Sequence, residues 1–594
     1  MPRDTTFAGL AENTWFIRYR LETMYVKTTS RTNKDGTPVR YLHLAHNQWD
    51  PAAGRSVPKV LYSFGREDTL DRAAIKRLVA SLSKLLDPAD TLAATAGPDL
   101  VFLESRPFGG AFVLDTLWRR LGIDKVITAL DATPRRGRPR DAAATERVLF
   151  GLVANRALAP SSKLAAAEWI SSDVHIENLP GIGEQACYRA MDWLHDARER
   201  LEAGVFDKVA TLLNLEAGLL FFDTTSTYFE LGEPDEPVAR DGKGRRLPGG
   251  GHEGEEAEKS GFRTHGKSKD SRDDLPQIVI GMAVTRDGIP VRCWCWPGNA
   301  SDQVVIRQVK DEMRDWTLSK IVWVTDRGFS SAENRRYLRS GDHHYITGEK
   351  LRSGSAEVKA ALSRQGRYTG IAGNMRVKEV RISEHERFVI CFNPEAADRD
   401  AHMRAQLVAQ LEELIDGSDA LPAMKRAELR GRISARPGLN RYLRVTPAGL
   451  LRTGKAKIKT ETNLDGKYLL RSSDPHLSAE DIALGYKQLL EVERGWRDMK
   501  QIIDLRPACH RLEERIRAHV ILCWLALLLI RIIETTTGDT WNNVRRHLDR
   551  LHAGTFTGPA GAFRQRTELT KPQRDLLAKL AITPPKQIIA LQPA

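Results

Sequence analysis

No grouping of cysteines at metal-ligand spacing occurs in these 594 residues. The six cysteines are scattered. The one close pair, Cys293 and Cys295, alternates inside a strand-like VRCWCW, so both face one side and read as packing, not zinc ligation. His252, His265, His343, His344 and His510 offer no ligand pair at helical spacing. Long apolar runs are also missing. The longest, VILCWLALLLI (520–530), is too short to cross a bilayer and reads as a buried helix. The segment before Met24 mixes charge and aromatics without the apolar core of a secretory leader, and it reads as a start-site extension. A soluble, cytoplasmic protein in a reducing compartment, with no membrane partner, is expected.

What is present is basic. Ninety Lys and Arg stand against 77 Asp and Glu, a net charge of +13, which favours a polyanionic partner. Residues 422–471 hold 13 of the cations, Lys455 and Lys457 among them, against three acids, and would suit a channel along a DNA backbone. The same charge would also serve a merely solvated surface. PRRGRPR (134–140) could lay Arg138 and Arg140 in a minor groove, or act as a basic linker. GFRTHGKS (261–268) matches a phosphate-loop pattern literally. It lacks both the buried strand before and the helix after, so nucleotide use is not indicated.

The pattern along the chain divides it. Residues 24–66 alternate apolar and polar around turns, a small β unit; 67–215 are largely helical. GLLFFDTTSTYFE (218–230) is a buried strand, followed by a polar stretch, 232–270, that reads as a mobile loop. QIVIGMAV and VRCWCW form a hairpin, and KIVWVTD and HHYITG are further strands, each separated by a helix. Residues 350–478 interrupt with mixed β and α patterns, a long helix resumes at about 479–503, and 541–594 read as a tail. With the interruption set aside, the order β-β-β-α-β-α-β-…-α is that of a ribonuclease-H-like mixed sheet. The expected fold class is therefore α/β. A ribonuclease-H-like core (216–349 and 479–540) is split by an inserted β/α domain. An N-terminal β plus helical DNA-binding region precedes it, and a helical C-terminus follows.

Three acids stand out against that pattern. Asp223 and Asp326 each end an apolar run where a strand emerges from the sheet, and carboxylates at neighbouring strand ends can converge. Glu493 lies on the late helix, whose Leu489, Leu490, Val492 and Trp496 would press it to the sheet. Each Asp alone could be a turn or cap residue. Together they repel unless cations lie between them, and oxygen ligands suit two Mg²⁺ (or Mn²⁺) ions about 3.5–4 Å apart, able to activate a water or a 3′-hydroxyl.

These blocks resemble the DDE transposases of bacterial insertion sequences, in the branch with a Tyr-Arg-Glu-Lys signature around the last acid. The carriers are NRALAPSSKLAAAEWI, FFDTTSTYFE, GKSKDSRDDLPQIVIGMAVTRDGIPV, PGNASD, VTDRGFSSAEN and YKQLLEVERGWRDMK, in that order across nearly the whole chain. The resemblance implies that Asp223, Asp326 and Glu493 are the catalytic, metal-holding triad, and that Tyr486 and Lys500 hold phosphates. Leu489 stands where the branch has Arg, and a leucine cannot grip a phosphate. Arg494 or Arg497 would substitute, with Arg327 as a further DNA contact. The gap from Asp326 to Glu493 is the longer of the two in the triad, and it holds the insertion. The implied activity is hydrolysis at each element end, then attack of the freed 3′-hydroxyl on target DNA. The enzyme would act as a homodimer on the terminal inverted repeats, in the nucleoid. Two alternatives stay open: a nuclease or resolvase that cuts without joining, and a decayed transposase that only binds DNA.

Overall fold

The computed structural model describes residues 24–593 except 34–36, 84, 86–99, 132–140, 180, 214–217, 242–243, 248–258, 315, 317–320, 353, 507, 509 and 559–560. Arg138 and Arg140 thus lie outside the described residues. The chain forms two compact units, one of residues up to Val101 and the other holding almost everything after it.

The first unit contains the expected β unit. Strands β1 (Tyr25–Thr32), β2 (Pro38–Asp50) and β3 (Arg55–Arg66) pair antiparallel in sequence order, and a helix follows at Arg72–Ser83.

In the second unit, β4 (Val101–Pro107) leads into helices Gly109–Arg120, Ile123–Asp131, Ala142–Leu158, Lys163–Glu168 and Glu184–Leu213. This helical region is not a body of its own. Its apolar faces share one core with Glu513–Thr537, the helix that contains the VILCWLALLLI run. That helix is apolar and long enough to cross a membrane, but the most apolar part of it is wholly buried inside the protein.

The large sheet comes next. Its first strand is β5 (Leu219–Tyr228); the small pair β6 (Val238–Ala239) and β7 (Lys259–Ser260) stands apart. Then come β8 (Gln277–Val284), β9 (Pro290–Pro297), β10 (Val322–Thr325) and β11 (His344–Glu349). β12 (Thr369–Gly370), β13 (Arg376–Arg381), β14 (Arg387–Phe392), the separate pair β15 (Leu443–Val445) and β16 (Leu451–Thr453), and β17 (Lys467–Ser472) follow in the chain. The nine-stranded order is β12-β13-β14-β17-β11-β10-β5-β8-β9, with β5, β10 and β11 parallel and the remaining pairings antiparallel.

These elements depart from the expected ones in four places. The interruption at 350–478 is not set beside the sheet: four of its strands continue it, because β17 hydrogen-bonds directly to β11. The late helix is two helices, Ala479–Lys487 and Leu490–Gln501, so Tyr486 and Glu493 do not share one helix face. The tail is folded: β18 (His552–Gly558), β19 (Gly561–Arg566) and β20 (Ile588–Pro593) form a sheet with β4, in the order β20-β19-β18-β4.

The fourth concerns the polar stretch 232–270, whose described residues are anchored, not loose. Phe262 is buried, Arg263 pairs with Asp235, and the buried Arg240 pairs with Glu513 at 3.0 Å. Polarity here signals ion pairs across a packed surface, a distinction composition cannot make. No helix opens after GFRTHGKS. Its Gly266 instead lies so close to the Gly298 carbonyl that a side chain would collide.

Candidate active site

Alternation along the strands decides where the acids point. In β5, Leu220 and Phe222 pack on one face with Val305 and Ile306 of helix Asp302–Met313, while Phe221 packs on the opposite face with Val492, Trp496 and Met499. Asp223 follows Phe222, so it belongs to the second face, the one covered by helix Leu490–Gln501. β10 repeats the pattern: Trp323 lies with the first group, Val322 and Val324 with the second, and Asp326 takes the second face too. Phe222 and Thr325 are paired in parallel register, so Asp223 and Asp326 stand at the same level. Asp326 follows the end of β10 as expected, but Asp223 does not end its strand, because β5 runs on to Tyr228 paired with β8. Helix Leu490–Gln501 buries Val492, Gly495, Trp496 and Met499 against the sheet; Gly495 allows close approach to Met282, and Glu493 is left outside that buried face.

Asp326, Arg327, Tyr486, Leu489 and Glu493 line one groove of about 720 Å³, together with Arg352, Lys467, Tyr468 and Lys487. Tyr486 donates its hydroxyl to Asp326 Oδ1 at 3.1 Å and stacks on Tyr468 with ring centroids 6.3 Å apart. Gly348, on β11, leaves room for that hydroxyl, since a methyl there would meet it. Burial, then the carboxylate of Asp326, raises the Tyr486 phenol far above its ordinary value, so it stays a donor.

On the neighbouring strand, burial is the main cause that raises the Asp223 carboxyl above its usual range. Asp302 and Asp326 add to the rise, and the Lys269 ammonium opposes it. Lys269 Nζ lies 3.5 Å from Asp223 Oδ1 and 3.7 Å from Asp302 Oδ2. Thr224 Oγ1 donates to Asp302 Oδ1 at 2.6 Å.

The structure therefore brings Asp223 beside Asp326, and Glu493 into the groove of Asp326. Among the described residues no three His, Cys, Asp or Glu side chains already stand at metal-ligand spacing. The donor set nevertheless suits a hard cation. It is all oxygen, Asp223 and Asp326 stand at one level on neighbouring strands, and a lysine ammonium already sits between Asp223 and the nearby Asp302.

The expected DNA contacts divide. Arg327 lines the groove, and Arg497 is exposed on the Glu493 helix. Lys500 is engaged within the protein: its Nζ donates to Thr225 Oγ1 at 2.8 Å and pairs with Asp270 at 3.0 Å at the helix end. Arg494 pairs with Glu534 at 3.0 Å. In the basic segment, Lys455 and Lys457 are exposed on helix Lys455–Thr462, with Lys457 donating to the Leu443 carbonyl at 2.7 Å. Arg471, by contrast, is buried among Glu349, Glu357 and Glu386. Sequence reading did not single out Lys269, Asp270 and Asp302, although all three sit in the blocks GKSKDSRDDLP and PGNASD. An isolated Lys or Asp in a polar loop gives no sign of what it will face.

Two family models match parts of the chain. Residues 234–529 match the model of a transposase DDE domain, a range that includes Asp326 and Glu493 and begins after Asp223. Residues 26–92 match the N-terminal domain of IS1634 family transposases. No curated protein matches. Among solved structures, a cryo-EM structure of the piggyBac transposase synaptic complex with hairpin DNA is similar over 74% of this chain and 78% of that one, at 11% identity and a TM-score of 0.34. A DDE domain cleaves DNA and depends on a divalent metal ion. The chain belongs to the DDE transposases of bacterial insertion sequences, in the IS1634 family.

Proposed function

We propose that Asp223, Asp326 and Glu493 form the catalytic triad of this DNA transposase and hold two Mg²⁺ or Mn²⁺ ions. The carrying observation is the level placement of Asp223 and Asp326 on adjacent parallel strands, facing the helix that bears Glu493. Metal ions there would activate water and then a 3′-hydroxyl, and stabilise the leaving oxygen. The protein's own groups do the rest. Tyr486 orients Asp326, and Arg327, Arg352, Lys467 and Lys487 present cations along the groove for phosphates.

The five strands β9-β8-β5-β10-β11, with three parallel and two antiparallel members and helices on both faces, support the ribonuclease-H-like reading of the core. Lys455 and Lys457, exposed on the insertion, would track the DNA backbone beyond the groove. Two ends must be cut and joined in concert, so a homodimer on terminal inverted repeats, acting on cytoplasmic, nucleoid DNA, fits the reaction. A linear duplex ending in the element's repeats tests the reading. Purified protein with Mg²⁺ is expected to nick at the end and to join the 3′-hydroxyl to a target plasmid. Cutting without joining would replace the proposal with a nuclease, and binding alone with a DNA-binding protein.

A further inference from the structure

Lys269 is held by more than its charge. Its backbone N–H donates to Ser226 Oγ at 2.8 Å, which fixes the base of the side chain over β5. Its ammonium donates to the Thr224 carbonyl and to Thr224 Oγ1, both at 2.6 Å, and stands between Asp223 and Asp302. Asp302 is the first residue of helix Asp302–Met313, and the neighbouring Gln303 donates to the Gly328 carbonyl just past Asp326. One monovalent cation is therefore ringed by two carboxylates, a hydroxyl and a carbonyl, donors of the kind a hard dication takes.

We propose that Lys269 is an internal counter-cation of the catalytic centre: its ammonium neutralises Asp223 and Asp302 until a divalent ion displaces it, and Asp302 is the positioning carboxylate that holds it there. The inference rests on the reading of Asp223 as a metal ligand. Without a cation, Asp223 would face both Asp326 and Asp302, and their carboxylates would repel it. An ammonium on a flexible four-carbon stem relieves that repulsion and can move aside. Once displaced, it remains at the mouth of the site, where a phosphate would accept it. Metal uptake and DNA engagement would thereby favour each other.

The test is Mn²⁺ binding to the full-length, DNA-free protein, read by the electron paramagnetic resonance of free Mn²⁺, with thermal melts in EDTA to verify folding. Lys269→Met is expected to bind Mn²⁺ about tenfold more tightly, since a positive charge a few ångströms from the ion is removed. Lys269→Arg, which keeps the charge, is expected to gain nothing, and Asp302→Asn to bind about tenfold more weakly. Lys269→Gln carries the same comparison should the Met variant melt too low. Asp223→Asn separates the two readings. If it weakens Mn²⁺ binding while neither neutral Lys269 variant tightens it, the counter-cation is overturned and the triad stands. If Asp223→Asn itself leaves Mn²⁺ binding unchanged, the triad reading fails first.

Discussion

Asp223 and Asp326 each stand one residue past a paired couple, Phe222 and Thr325, on adjacent parallel strands, so the sheet's own hydrogen bonds fix the distance between them. Asp223 is itself a strand residue, and Asp326 follows directly on the last residue of β10. Asp223→Asn, Asp326→Asn and Glu493→Gln are each expected to remove nearly all strand cleavage and joining. The double variants should lose scarcely more, because the acids act as one unit. Gel-resolved cleavage of an end duplex measures this, and near-parental activity in a folded Asp223 or Asp326 variant would refute the assignment.

Metal preference gives a test that distinguishes a ligand from a bystander. Asp326→Cys is expected to be almost inactive in Mg²⁺ and partly restored by Mn²⁺, which tolerates sulfur better. Ca²⁺ is expected to support DNA binding without cleavage, given its looser coordination. Equal inactivity of the Cys variant in both Mg²⁺ and Mn²⁺ would argue against direct ligation.

Tyr486 and Gly348 should prove coupled. Tyr486→Phe removes one hydrogen bond to Asp326, whereas Gly348→Ala would push the whole phenol off that carboxylate. The Ala variant is expected to lose more cleavage than the Phe variant, and adding Ala to Phe should cost less than adding Ala to the parent. Strictly additive losses would show that the two residues act separately.

Lys500→Ala is expected to cost about 1–2 kcal/mol of stability in urea unfolding, because Asp270 and Thr225 lose a partner in a mostly buried setting. Arg506, at 2.7 Å from Asp270, limits the loss. A double-mutant cycle with Asp270→Ala should recover a coupling energy. Full stability with a flattened salt dependence of DNA binding would instead return Lys500 to phosphate contact.

Acid should destabilise the protein through its core histidines. Burial, more than the nearby Lys163, Arg515 and Arg156, depresses His510 to about 4, and burial holds His519 well below its ordinary value. Each folded-state value lies below the unfolded one, so stability is full above about pH 6.5. It is lost as pH falls toward 4, by about 2 kcal/mol at pH 5 for His510 alone. His510→Gln should lose less between pH 7.5 and pH 5 than the parent does; an equal loss would show that His510 does not titrate in this range.

Much of the candidate site could be read before the fold was known, for a physical reason. An apolar run closing on Asp marks a buried strand leaving its sheet, which holds for KIVWVTD; after GLLFFD the strand runs on through polar TTSTY, whose Thr and Ser fit a buried strand as well as apolar residues do. The same logic failed where polarity has two meanings. The stretch 232–270 looks unable to fold because its charges are visible while their partners, Glu513 for Arg240 and Lys500 for Asp270, lie in the last part of the chain. The break between the last helices was hidden because Gln488 and Leu489 carry no glycine or proline to announce it. The strands of 350–478 were recognised as mixed β, but nothing in a sequence says that β17 will choose β11 as its neighbour.

That choice has a mechanical side. β17 is the return strand of the insertion, and it is bonded in register to β11, the strand of Gly348 and Glu349, while its buried Arg471 ties Glu349 to Glu357 and Glu386. A segment joined by two flexible linkers could swing free; one zipped along a strand cannot. Force applied to the far edge of the insertion, as by bent DNA lying on its basic helices, would pass as tension through the β17–β11 ladder. It would arrive at Gly348, beneath the Tyr486 hydroxyl that touches Asp326.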